Sequence, residues 1–260
     1  MKRMTTGVAI LVLVLGALVG PPASAGTRER IAKVRRLYAD LVGTGPTDVL
    51  AGRLSVEKIF DPAVKGRVTP LGQYGDFEAA REYFFGLLLA PTVSALRVDF
   101  RSLAASGHLV AIEMDIAIDL SHTPVGHVVT LRETGFFRFG AHDRITSFDL
   151  TILNIGAALD PRSDDERQRR IQGVCALAAA NCPNEFVGDT TAVKAADCEA
   201  FVATKPYGSW NCGNSDTFSC RELHVILTAL RPEIHCPHVG KTGGNACVDV
   251  SYESFFDQEF

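Results

Sequence analysis

The first 174 residues contain no cysteine, and the whole chain has a single tryptophan and three methionines. The front of the protein therefore has to hold itself together with an ordinary apolar core, without crosslinks. Basic residues are not in excess either. Lys and Arg number 26 against 30 Asp and Glu, a formal charge of −4, and nothing in that balance points to a nucleic-acid binder, which would show a basic excess gathered on one face. After the N-terminal region no apolar run approaches the length of about 18 residues needed to cross a bilayer. Motifs of common hydrolytic chemistry are missing as well: there is no H-E-x-x-H helix, no Walker loop and no Ser-centred nucleophile elbow. Low complexity is excluded by the apolar share of 47% against 22% charged residues, which is ample for packed cores.

What is present begins with an address. Lys2 and Arg3 precede an apolar run from Val8 to Val19, Gly20-Pro21-Pro22 ends it, and Ala23-Ser24-Ala25 has the small-x-small form of a cleavage site. Residues 1–25 thus read as a signal peptide, and the mature protein as secreted, extracellular or periplasmic, with no membrane attachment. The cysteines agree with export. All seven (Cys175, Cys182, Cys198, Cys212, Cys220, Cys236 and Cys247) fall in the last third of the chain, the density of a small secreted scaffold that needs disulfides. An odd number leaves one over, expected to be buried and inert. The connectivity is not readable from spacing. At least two bridges are expected, with Cys236 and Cys247 among the bridged residues, because they flank a Gly-rich loop.

Periodicity divides the rest. Ile31, Val34, Leu37, Tyr38 and Leu41 recur at helical steps; a second helix is expected from Thr47 to about Phe60, ended by Asp61-Pro62, and a third from about Asp76 to Leu89. Four strands follow, over about 96–104, 110–118, 127–139 and 144–153, the second with strict alternation from Val110 to Ile118. Three helices and then an antiparallel meander make an α+β arrangement, whose curved sheet wraps the helices and leaves a cone-shaped interior. Residues 159–170 read as linker and helix start, with Ser163 and Glu166 as a capping box. A small, mainly helical, Cys-rich domain then occupies 171–260, with helices expected over Thr191–Val202 and from a second box, Ser219 to Glu222.

The order helix, helix, helix, meander, the Gly72-Gln73-Tyr74-Gly75 turn before Phe77–Phe84, and His142-Asp143-Arg144-Ile145 before the last strand resemble the nuclear transport factor 2-like superfamily. Within it, residues 26–158 resemble the SnoaL-like polyketide-cyclase group. That resemblance implies a pocket between the helices and the curved sheet, and a group that includes isomerases, dehydratases, cyclases and non-catalytic binders.

On the long strand, His127 and Glu133 share a face with Val129, Leu131, Phe137 and Phe139 unless Gly135 marks a bulge that switches the parity. With Asp61 they are the candidate proton-transfer groups, and Tyr38, Tyr74 and Tyr83 the candidate ligand contacts. A small hydrophobic ligand bound without cofactor is the leading reading. The alternatives are an acid–base enzyme acting on a hydrophobic carbonyl compound, and an extracellular interaction protein that docks through its tail or pairs as a homodimer through its open sheet. His224, His235 and His238 form the densest group of metal-ligand types, but their spacing fits no zinc motif and they are not expected to converge.

Overall fold

A computed structural model describes residues 25–88, 93–213, 215–251 and 253. The expected signal peptide, apart from Ala25, lies outside the described residues. Among them, no helix is long and apolar enough to cross a membrane.

The chain opens with α1 (Ala25–Ala39) and a short α2 (Gly45–Leu50), then β1 (Phe60–Thr69), β2 (Gly72–Tyr74) and α3 (Phe77–Phe85). The Asp76 carboxylate accepts from Ala79 N at 2.8 Å and starts α3 where a helix was expected. Four strands follow: β3 (Ser94–Ser106), β4 (Leu109–Asp119), β5 (Val128–Phe139) and β6 (Ile145–Ile152). The sheet has six strands in the order β2-β1-β6-β5-β4-β3, antiparallel except where β1 runs parallel to β6.

The expected second helix stops at Leu50, residues 51–59 run as turns, and β1 and β2 replace the turn-rich stretch expected after it. Gly52, with φ +69°, closes the helix early, and the apolar side chains continue as buried Phe60, Val64 and Val68 of β1. Pro62, Gly66 and Pro70 made this segment look like loop. Asp61 consequently sits in β1, where its carboxylate accepts from Ala63 N at 3.0 Å.

The core lies between the sheet and the helices. Val34, Leu37 and Tyr38 of α1 and Ala80 and Phe84 of α3 pack against Val110, Ile112 and Met114 of β4, Phe137 of β5 and Phe148 of β6. Gly135 does not switch the parity of β5: pairing runs unbroken through it to β4 and β6, and Val129, Leu131, Glu133, Phe137 and Phe139 all face inward. The glycine is required for another reason. With φ +149°, any Cβ there would stand 2.2 Å from the Asp149 carbonyl oxygen, so only glycine lets β6 lie this close.

After β6 come α4 (Ile155–Leu159), α5 (Asp164–Asn181), α6 (Thr191–Val202), α7 (Phe218–Leu227) and α8 (Pro232–Val239). Ser163 caps α5 as the sequence implies, but Thr217 rather than Ser219 caps α7, accepting from Cys220 N. Three disulfides staple the helices: Cys175–Cys198 joins α5 to α6, Cys182–Cys236 joins the end of α5 to α8, and Cys220–Cys247 ties α7 to the tail. Cys236 and Cys247 are both bridged, though not to each other. The leftover cysteine, Cys212, is exposed rather than buried.

The two halves share contacts. Trp210 and Leu223 complete the front core. Asp160 accepts from Ser209 Oγ at 2.6 Å and from Trp210 N at 2.8 Å, and Arg231 forms a two-pronged ion pair with Glu82 of α3.

Candidate functional site

Between α1, α3 and the concave face of the sheet lies an apolar cavity of about 670 Å³ that extends under α5 and α7. Its walls include Leu41, Phe84, Ile116, Leu131, Ile152 and Trp210. Inward parity on β5 places one carboxylate in this wall, Glu133, only 2% exposed.

Burying a carboxylate is costly unless its oxygens are hydrogen-bonded. Here both are. The Tyr38 hydroxyl donates to Oε1 and the Tyr83 hydroxyl to Oε2, the latter at 2.6 Å. Tyr38 is held by edge-on packing against Phe84, Phe100 and Phe137, and Tyr83 by packing against Phe84 and the Tyr74 ring, 5.0 Å away. Burial pushes the Glu133 carboxyl above the usual carboxylate range, although the two hydroxyls pull it down. The same burial, with the adjacent carboxylate, pushes Tyr38 and Tyr83 well above the usual phenol range, so both stay hydrogen-bond donors.

Of the residues singled out in the sequence, the structure brings Glu133, Tyr38 and Tyr83 together in the wall of this cavity, with Tyr74 against Tyr83. Asp61 and His127 are not among them. His127 precedes β5, part-buried, with Nδ1 2.7 Å from the Val125 carbonyl oxygen, and does not line the cavity. Its parity matched Glu133, but the strand begins one residue later and the chain before it turns through Gly126, where φ is +75°.

Sequence reasoning missed Glu222. It reads as the far end of a capping box, yet its side chain lines the same cavity, beside Arg170 of α5, whose Nη1 is 3.5 Å from Oε1. Burial outweighs that guanidinium and raises the Glu222 carboxyl to about 7. The signal that could have found it is helical spacing, since Glu222 and Val225 fall on one face of α7 and both line the cavity.

A second cavity, of about 430 Å³, adjoins the first across Leu71, Tyr83, Leu87 and Leu223. Glu82, Arg231 and the imidazoles of His224, His235 and His238 line it. The three imidazoles do converge, contrary to expectation. The segment around His235 is not a loop but helix α8, which places His235 and His238 one turn apart facing His224 on α7. Burial, and secondarily the two neighbouring rings, hold His224 well below the usual imidazole range. Burial also lowers His238, despite its hydrogen bond to Asn245. Burial alone would raise Glu82, but its hydrogen bonds to Arg231 and His235 bring it down to about 2.

Residues 155–250 match the BfoA family C-terminal domain. The match spans α4 through α8. The chain is also similar to Bifonsecin B biosynthesis cluster protein A of Aspergillus brasiliensis, at 26% identity over 74% of this chain and 70% of that protein. An Aurasperone B biosynthesis cluster protein A of Aspergillus niger is 25% identical over 74% of this chain and 68% of its own length. Among solved structures, a putative SnoaL-like polyketide cyclase from Jannaschia sp. CCS1 covers 53% of this chain and 94% of its own, at 13% identity and TM-score 0.42. An LEH-like epoxide hydrolase of M. tuberculosis covers 50% and 82%, at 16% identity and TM-score 0.39.

Proposed function

We propose that this protein binds a small, largely apolar molecule in the cavity of the curved sheet and grips one hydroxyl or carbonyl oxygen of it at Glu133. The observation that carries this reading is a fully buried carboxylate, bonded by two tyrosine hydroxyls, in the wall of a largely apolar cavity of about 670 Å³. Cavities of that size and lining suit small ligands, with a few polar groups fixing orientation. Similarity to proteins named for biosynthesis clusters supports a small-molecule role. The three disulfides support an oxidising compartment, in keeping with the export address in residues 1–25.

Proton transfer is the second reading, favoured by the raised proton affinity of Glu133 and by a second carboxyl, Glu222, near 7 in the same cavity. A carboxyl tuned toward neutrality can take a proton from a carbon beside a carbonyl and return it.

Trp210, the single tryptophan of the chain, lines the cavity and reports on its occupancy. Titration with 2-naphthol should quench its fluorescence to a one-to-one endpoint, and Leu131→Phe, which fills part of the cavity, should weaken that binding. Absence of saturable quenching, or an unchanged affinity in a folded Leu131→Phe protein, contradicts the reading.

A further inference from the structure

We propose that His224, His235 and His238 form a three-imidazole site for a divalent transition-metal ion, of the kind zinc occupies, with its remaining position open to the adjoining 430 Å³ cavity. This site is separate from Glu133 and does not depend on the ligand proposed there.

The nitrogen spacing fits one bound ion. His224 Nδ1 lies 3.2 Å from His235 Nδ1 and 3.3 Å from His238 Nδ1. A zinc ion with nitrogen ligands at about 2.0–2.1 Å in tetrahedral arrangement sets neighbouring nitrogens about 3.3–3.4 Å apart. All three ligand atoms lie within 4.8 Å of one another.

The placement of the ring protons fits it too. His235 Nε2 faces the Glu82 carboxylate at 3.3 Å, and that carboxylate is paired with Arg231, so it accepts and the hydrogen sits on Nε2. His238 Nε2 likewise faces Asn245 Oδ1 at 2.8 Å. Both rings therefore turn bare Nδ1 lone pairs toward His224. A single N–H on His224 Nδ1 can serve only one of them, whereas a cation serves all three nitrogens at once. A carboxylate and an amide oxygen holding the far nitrogens of metal-binding imidazoles is the outer-shell arrangement that fixes tautomer and ring orientation.

Thiolates do not compete for the position. Cys220 and Cys247 also stand close to His224, but they are bridged to each other, so the donors available in the oxidised protein are imidazoles. Glu82 makes the site dependent on the front half as well: α3 supplies the carboxylate, α7 and α8 the ligands.

The test uses the full oxidised protein, free of reductant. Zinc titrated calorimetrically should bind at one equivalent, and cobalt(II) should give the strong visible absorption of a tetrahedral site that zinc displaces. His238→Ala should weaken zinc binding at least a hundredfold. Asn245→Ala, which removes only the partner of His238, should weaken it about tenfold to a hundredfold with an unchanged melt. No saturable zinc binding would overturn the proposal, as would an affinity unaltered by both substitutions. Binding that appears only after reduction of the disulfides would also overturn it, because thiolates would then be the ligands.

Discussion

Removing the Cys182–Cys236 bridge should cost more than removing Cys175–Cys198, and the difference can be worked from loop lengths. The first closes 54 residues and the second 23. In the chain-entropy account a crosslink restricts the unfolded ensemble by an amount that grows with the logarithm of the loop, giving about 4.2 kcal/mol for the longer and about 3.4 kcal/mol for the shorter. All four cysteines are buried, so replacing each pair by alanine leaves comparable voids, and the packing losses cancel in the difference. The expected gap of about 0.8 kcal/mol corresponds to about 2–3 °C in melting temperature for a chain of this size. Calorimetric melts of the two double-alanine proteins, without reductant and at one pH, measure it. A Cys175/Cys198 variant that melts below the Cys182/Cys236 variant would refute the entropic reasoning and place the bridges' contribution in native-state packing.

Three further outcomes follow from the site geometry. Glu82 is depressed in the fold, from the ordinary 4.5 to about 2, so its pairing contributes stability that is complete above about pH 4.5 and is lost as pH falls toward 2; Arg231→Met should flatten that acid limb in melts taken across this range, and an unchanged limb would contradict the pairing. Gly135→Ala should destabilise by at least about 2 kcal/mol, since a left-handed-side backbone and a 2.2 Å approach to Asp149 O must both be relieved; a loss below about 0.5 kcal/mol in urea unfolding would show that β6 can retreat. If Glu133 acts as a base, deuterium exchange at the α-carbon of 2-tetralone should rise with pH beyond the ordinary carboxylate range, because burial raises that carboxyl, and should vanish in Glu133→Gln; exchange equal in the two proteins would remove the proton-transfer reading.

The architecture was legible where one face of an element is buried. Alternation from Val110 to Ile118 placed β4, and helical spacing around Val34 and Tyr38 placed α1. It was illegible in β1, because Pro62 and Gly66 interrupt the strand while its parallel pairing to β6 is a long-range contact that no local pattern announces. The site divides the same way. Glu133 was visible as a polar residue on an apolar face of β5. His127 shared its parity but not its strand. The convergence of His224 with His235 and His238 depends on α7 and α8 packing side by side after a tight turn, and Pro237 inside α8 concealed that helix. Glu82 and Arg231, separated by 149 positions, meet only through the fold.

Recognition of a ligand oxygen at Glu133 is tested most directly by comparing 2-naphthol with naphthalene through quenching of Trp210. A hydrogen bond to a charged or strongly polarised group contributes about 1.5–3 kcal/mol, so the wild-type protein should prefer the naphthol by about tenfold to a hundredfold. Glu133→Gln and Tyr38→Phe should shrink that preference while leaving naphthalene binding nearly unchanged. Equal affinities for the two compounds in the wild-type protein, or a preference that survives both substitutions, would contradict the account.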